Sequence, residues 1–335
     1  MKWSILALLL IFLSSGQCIH LPVQQLFFDG VGYSSNESSS RLAVSMNTAL
    51  PLKRTNLRAS WPKFQFLNWK VYSSNLSNEK SVFVAILARD KAHLLPRYLR
   101  CLENQDYNKE LITIYINTNN NSDQTEEILK QWISENRGRY HEIIFDSHEI
   151  LNMPESMPHQ WSAERFSILG QIRNQSLKVA IESDCDYYFV IDCDNLIAPL
   201  TLKTLVEKDK PIIAPILRNI PKPRDLYSNF FYAVDENGYY LDHPVFWQIF
   251  YRMKKGTFQV PLVHCTYLIK KEYLPHLTYL DGTSDYEFII FSRSARNHEV
   301  DQFICNEEEF GVQFAGDNIS LEDEIRKFRP FLAIP

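Results

Sequence analysis

The sequence predicts an α/β fold built on a mostly parallel sheet. From Ser81 onward, strand-length apolar runs alternate with segments of helical period, the pattern of βαβ units. The 335 residues are 45% hydrophobic and 22% charged, enough for one large buried core. One apolar strand, Tyr187–Ile191, runs directly into carboxylates, and open α/β sheets bind ligands at the carboxyl ends of their strands.

The elements follow in chain order. Met1-Lys2, the apolar run Ile5–Leu13 and the small residues Ser14, Ser15 and Gly16 read as a signal peptide over residues 1–18. That run is short for a membrane span, and no other segment approaches one. The chain is therefore expected in the secretory pathway, in the endoplasmic reticulum lumen or secreted. Residues 19–79 are polar, Ser- and Asn-rich and weakly periodic, and read as a stem or irregular extension. The folded domain is expected over residues 80–335.

Within it, Ser81–Ala88 reads as a strand and His93–Glu103 as a helix. Ile112–Ile116 is a second strand, followed by a polar loop over Asn117–Asp123. Thr125–Asn136 has helical spacing at Ile128, Trp132 and Ile133. Ser162–Ser183 is a long helix with Phe166, Leu169, Ile172 and Leu177 on its apolar side. Tyr187–Ile191 and Ile212–Pro215 are further strands. From Leu226 to Asp285 the pattern becomes antiparallel in character, with an Asn237-Gly238 turn signal. Tyr286–Ala295 and Gln302–Cys305 close the domain.

A net charge of −5 lacks the broad positive field of a nucleic-acid binder. Six cysteines without a CxxC pair argue against a zinc ribbon and a dithiol redox motif, while one or two disulfides are compatible with an oxidising compartment. Glycosylation sequons begin at Asn36, Asn75, Asn120, Asn174 and Asn318.

Asp192-Cys193-Asp194 carries the chemistry. Two carboxylates, two residues apart at a strand end, suit a hard cation such as Mn²⁺ or Mg²⁺ that neutralises a leaving diphosphate. An ordinary acidic turn is the plain alternative. Asp184 and Asp186 form a similar triplet but precede the strand, and read as solvated loop charges.

Several segments together resemble the N-terminal glycosyltransferase domain of procollagen galactosyltransferases, in glycosyltransferase family 25. They are Val84–His93, Leu99–Tyr107, Asn119–Trp132, Trp161 with Arg165-Phe166, and Ile191–Asn195. Ile213-Ala214-Pro215, Leu226–Phe230, Val260–His264 and Cys305–Gly311 continue the match, in order, over about residues 80–330.

The resemblance implies a GT-A fold with a Rossmann-like sheet, a UDP-sugar donor, and Mn²⁺ or Mg²⁺ at the acidic motif. Asp192 and Asp194 would hold metal and diphosphate, with His264 as a late metal ligand or else a core histidine. Ala88, Arg89 and Asp123 would meet the nucleoside. Asn119–Thr125 is similar to the nucleoside loop of family 2 glycosyltransferases, but Thr118 and Asn119 replace its first acids. Arg165 and Arg173 would pair with the diphosphate or else be surface arginines. Glu287 or Asp285 would be the base that takes the acceptor proton; for either, a surface acid at a strand edge is the alternative.

The implied reaction moves a hexose, galactose foremost, from a UDP-sugar to a hydroxyl of a protein or glycan, such as hydroxylysine of a collagen-like protein. Procollagen galactosyltransferases carry a further glycosyltransferase domain and usually an ER-retention signal. This sequence reaches Pro335 with neither. A non-catalytic binding or adhesion protein on the same scaffold is the competing expectation.

Overall fold

The structure, a computed structural model, describes residues 79–151, 162–217 and 228–313. The signal segment, nearly all of the stem, Trp161, Leu226-Tyr227 and the stretch from residue 314 onward lie outside the described residues.

The chain enters the sheet with β1 (Val82–Ala88), whose residues are almost all buried. Helix α1 (Leu95–Glu103) starts with proline in its first turn, where the missing N–H leaves no gap. Next come β2 (Ile112–Asn119), α2 (Thr125–Asn136) and β3 (Glu142–His148). The long helix α3 (Ala163–Glu182) is capped by Ser162 and leads back to β4 (Tyr187–Ile191). Beyond it lie β5 (Asn195–Ile197), α4 (Thr201–Lys208) and β6 (Ile212–Pro215). The second half holds β7 (Phe230–Phe231), α5 (Pro244–Phe250), β8 (Thr257–Val260), β9 (Leu262–Val263) and β10 (Thr266–Lys270). Helix α6 (Glu287–Asn297), β11 (Gln302–Cys305) and β12 (Gly311–Gln313) complete the described chain.

Eight strands form one sheet in the order β3-β2-β1-β4-β10-β6-β11-β8. β3, β2, β1 and β4 run parallel, β10 runs against β4 and β6, and β8 runs against β11. This is the expected α/β architecture, mostly parallel with an antiparallel portion. The chain moves outward from β1 to β3, then returns to place β4 on the other side of β1. The carboxyl ends of β1 and β4 therefore flank the switch point where such sheets open a crevice. Phe83 stacks between Tyr115 and Tyr188, with ring centroids 5.9 and 6.0 Å away, so the strands flanking β1 are locked through one ring.

Several expectations need correction. β2 continues through Asn119, so Asn117, Thr118 and Asn119 are buried strand residues rather than loop. Their polar groups survive there in part because Thr118 donates to the Ala88 carbonyl (2.8 Å) and the Asn117 amide donates to Asp146 (3.0 Å). The stretch from Tyr286 is a helix, not an edge strand. Its run Ile289-Ile290-Phe291 is buried throughout, so the sequence lacks the polar stripe that marks a surface helix. The antiparallel region also contains helix α5, seven residues too short to show a period.

The Asn237-Gly238 turn is present. Gly238 has φ +95°, and Val234 bridges Tyr240 across the turn. Among the described residues, Cys101, Cys185, Cys193, Cys265 and Cys305 are free thiols, so no disulfide ties this part of the domain.

Gly311 opens β12, which pairs with β5 just after the acidic turn. Its φ is +155°, and a Cβ there would sit 2.3 Å from the Leu196 carbonyl oxygen. Gly311→Ala is expected to destabilise the domain by about 1–3 kcal/mol. A urea midpoint equal to the wild type's would remove this constraint from the account.

Candidate active site

The acidic turn is rigidly built. The Asp192 amide donates to the Cys265 carbonyl (3.0 Å), and the Asn195 amide donates back to Asp192 O (2.9 Å). The Cys193 thiol donates to the Leu87 carbonyl of β1 (3.1 Å), and the Asn195 side chain donates to Thr266 of β10 (2.8 Å). The motif is thereby fastened to both neighbouring strands. Cys265 takes a left-handed backbone, φ +64°, at the point where β10 approaches it.

Arg173 organises the charges. It projects from α3 and is only 6% exposed. Its Nη2 donates to both oxygens of Asp192, at 2.9 and 3.2 Å, and its Nε lies 3.7 Å from Glu287 Oε1. Burial opposes its charge, but Asp192, Tyr267 and Glu287 outweigh that and hold its pKa up. The choice between a diphosphate ligand and a surface arginine thus has a third answer: Arg173 is a buried cation between two carboxylates.

Asp194 has no such partner. Its carboxylate accepts no side-chain hydrogen bond from the described residues. Desolvation raises its pKa, Lys91 opposes that, and the adjacent Asp192 adds to it. Lys91 was not singled out by sequence, although it stands in the stretch Ala88–His93 that follows β1.

Glu287 begins α6 and is 5% exposed, not a surface acid. Burial pushes its carboxyl up to about 7 against the pull of Arg173, and Asp192 adds to the rise. Its Oε2 is buried without a hydrogen-bond partner. Asp285 is different. It accepts from Tyr239 Oη (2.7 Å) and Arg293 Nη2 (2.7 Å), and these bonds outweigh desolvation and hold its pKa down. Its carboxylate is committed to holding the Asp281–Asp285 loop, a poor setting for a base.

His264 is buried between aromatic rings, stacked on Phe288 at 4.9 Å with Phe231 edge-on at 5.9 Å. Desolvation lowers its pKa to about 3, so the imidazole is neutral. Its Nδ1 lies 2.9 Å from Cys265 Sγ. Both a metal ligand and a core histidine are neutral, so its charge does not separate the two roles.

On the far side of the switch point, Ala88 ends β1 and Asp90 turns the chain with φ +52°. Asp123 accepts from the amides of Ala92 and Thr125, both at 2.9 Å. Those bonds outweigh desolvation and lower its pKa. Asp123 ties the two loops together, a structural task beside any contact with a nucleoside. Arg89 lies 3.7 Å from Asp90. Arg165, in the first turn of α3, has its pKa lowered by burial and by Arg89 nearby.

Among the described residues, no group of three or more His, Cys, Asp or Glu side chains is gathered to hold a metal ion. The donor set at the turn is nevertheless chemically suited to a hard cation. Asp194 is desolvated and unpaired, and Asp192 is its neighbour. Two carboxylates are what Mn²⁺ or Mg²⁺ commonly takes from a protein when phosphates and water complete the shell.

An open α/β sheet with an acidic turn at its switch point is an architecture that takes ligands at the carboxyl ends of its strands. The chain belongs to glycosyltransferase family 25: the model of that family's N-terminal domain matches residues 79–328. It is 36% identical over 244 residues to procollagen galactosyltransferase 2 of Mus musculus, a match covering 69% of this chain and 38% of the relative. Against the Homo sapiens protein of the same name it is 35% identical over 254 residues, covering 72% and 40%. The chain thus spans about two fifths of the length of these relatives. A crystal structure of S. aureus TarS in complex with UDP-GlcNAc aligns with TM-score 0.46 and 14% identity, over 75% of this chain and 65% of that one.

Removing Arg173 would leave the buried Glu287 and the partly buried Asp192 without their cation. Arg173→Met is expected to cost about 3–5 kcal/mol near pH 8. Because Glu287 titrates near 7 and needs no cation once protonated, the deficit should shrink as pH falls through that value. Chemical denaturation at pH 8 and pH 5.5 checks this; an equal deficit at both would show that Arg173 does not compensate Glu287.

Proposed function

We propose that this chain is a metal-dependent glycosyltransferase that moves a hexose, galactose foremost, from a UDP-sugar to a hydroxyl of a protein acceptor. The carrying observation is the network at the switch point: an unpaired, desolvated Asp194, its neighbour Asp192, and the buried Glu287 joined to Asp192 through Arg173. Membership of glycosyltransferase family 25 supports the reaction class. The names of the relatives support a galactosyl donor and a collagen-like acceptor; hydroxylysine as the receiving residue is what the sequence resemblance implies. The signal-peptide reading and the family together favour the lumen of the secretory pathway. Among the described residues, no helix is long and apolar enough to cross a membrane.

The residues divide the work. Asp194 and Asp192 would hold Mn²⁺ or Mg²⁺, with His264 a further candidate ligand. The cation offsets the charge that develops on the leaving diphosphate. With no group of three ligands gathered among the described residues, cation affinity depends on the diphosphate supplying further oxygens. Arg173 fixes Asp192 and steadies Glu287. Arg89, just after β1, and Arg165, in the first turn of α3, act on each other electrostatically, and their two positive charges favour an anion.

Glu287 is the base. Its carboxylate accepts the proton of the acceptor hydroxyl as that oxygen bonds to the anomeric carbon, while the bond from that carbon to the diphosphate oxygen breaks. A carboxyl titrating near 7 is matched to this task at neutral pH. Asp285, held by Tyr239 and Arg293, is the weaker candidate.

One observation favours a second reading, a non-catalytic binding protein on the same scaffold. Asp192 already has a full cationic partner in Arg173, which competes with a metal for the same oxygens.

The two readings separate experimentally. Calorimetry should show UDP binding that strengthens at least tenfold with Mn²⁺, and Asp194→Ala should abolish that gain. A gain that persists in the variant removes the metal site. Glu287→Gln should lower kcat by about 10²–10⁴ with little change in UDP affinity. In the wild type, kcat should rise with pH through about 7 as the carboxyl ionises, a limb the variant lacks. No transfer or donor hydrolysis with any UDP-hexose, alongside intact UDP binding, would favour the binding protein.

A further inference from the structure

One cation at the carboxyl edge of the sheet has no task in the fold. Lys91 stands three residues past the end of β1, beside the turn that follows β4, because β1 and β4 are parallel neighbours. The Cys193 thiol, bonded to the Leu87 carbonyl (3.1 Å), ties that turn to the end of β1. The backbone of Lys91 is fixed. Its N–H donates to Thr125 Oγ1 (2.7 Å), and its carbonyl accepts from the amides of Leu94 and Leu95, both at 3.0 Å. A change of side chain leaves these bonds in place.

The side chain is the opposite case. It is half-buried, and among the described residues its ammonium makes no hydrogen bond and no ion pair. The acids of the adjoining loops are taken. Asp90 accepts from the amide and the hydroxyl of Ser122 (2.6 and 3.0 Å), and Asp123 from the amides of Ala92 and Thr125. The charge of Lys91 acts on the acidic turn instead. It is the largest influence opposing the desolvation of Asp194, and also of Cys193. No ion pair joins Lys91 to Asp194, so the two opposite charges act on each other across the edge without touching.

The charges at the edge are nearly balanced before any ligand arrives. Asp192 is neutralised by Arg173 at 2.9 Å, and Asp194 is offset by Lys91 from a distance. A carboxylate and an ammonium held apart suit a ligand of both signs, with a cation for the acid and an anion for the lysine. A diphosphate with a divalent cation is such a ligand, and lysine binds phosphate as a compact point charge. An anion alone still finds the ammonium, whereas a divalent cation alone meets an acid already offset.

We propose that Lys91 is a resident counter-cation for the β-phosphate of the donor, so that this chain holds a nucleoside diphosphate without metal and takes up the divalent cation after the nucleotide. This rests on the UDP-sugar reading above and adds to it an order of entry and a metal-independent share of leaving-group binding. The ammonium takes the phosphate that departs from the sugar. Asp194, relieved of the opposing charge, then takes the cation on the β4 side.

The test is calorimetry with UDP and UMP in the presence of a chelator, and with Mn²⁺ alone, on the wild type, Lys91→Met and Lys91→Arg. UMP lacks the β-phosphate. In chelator the wild type should bind UDP at least fivefold more tightly than UMP. Lys91→Met should lose that preference with its UMP affinity and Tm unchanged, and Lys91→Arg, which keeps the charge, should retain it. Mn²⁺ alone should bind Lys91→Met at least threefold more tightly than the wild type, because Asp194 has lost the charge opposing it. A merely structural lysine would not move the two affinities in opposite directions. If the wild type binds UDP only with Mn²⁺ present, or if Lys91→Met keeps the preference for UDP, the assignment of Lys91 is overturned while a nucleotide site stands. No gain in Mn²⁺ affinity overturns the order of entry. If the wild type binds UDP neither with nor without Mn²⁺, the donor reading falls and takes this assignment with it. The wild-type comparison needs no variant, so a failure of Lys91→Met to fold does not shelter the proposal.

Discussion

The ion pair between Arg173 and Asp192, extended to Glu287, is the interaction on which the site depends. Three elements far apart in sequence meet there: α3, the turn after β4 and the first turn of α6. A buried guanidinium between two carboxylates is favourable only as a set, since any one member alone would be a desolvated charge. The set therefore fixes where α3 and α6 dock on the sheet, and it places the candidate base at a defined relation to the acidic turn. Stability and chemistry draw on the same charges.

That arrangement explains why the two aspartates of one motif behave differently. Asp192 is neutralised within the protein by Arg173. Asp194 is desolvated and next to another carboxylate, opposed by the charge of Lys91 and, more weakly, by a backbone hydrogen bond and Arg173. An unpaired carboxylate at a ligand edge favours a cation from outside, and in the proposed function a nucleoside diphosphate would bring the remaining oxygens. Glu287 sits at the other end of the network, raised toward neutrality by burial and restrained by Arg173.

Much of the fold was legible in sequence. Tyr187–Ile191, Ile212–Pro215 and Thr125–Asn136 have the same limits in structure as in pattern, because continuous apolar runs and a 3.6-residue period are strong signals. β3 was not read, since Glu142–His148 is a half-exposed edge strand of mixed polarity. The aromatic helix α5 was missed because seven residues show no period, and α6 because its middle is buried on every side. In the site, Asp192 and Asp194 stood out as a local motif. Arg173 was named only as a diphosphate ligand or a surface arginine; its contact with Asp192 was not read, because it lies 19 residues upstream on a helix and no spacing rule encodes that contact. The buried amide of Asn119 was read as loop, because a strand ending in Asn-Thr-Asn is polar where strands are usually apolar.

The central claim is that the acidic turn at the β1–β4 switch point receives the donor diphosphate. A crystal structure of the protein with UDP and Mn²⁺ tests it most directly. The account predicts the cation on Asp194, bridged to the diphosphate, with Glu287 still held by Arg173 beside it. A nucleotide bound elsewhere, or a cation that does not touch Asp194 or Asp192, would contradict it.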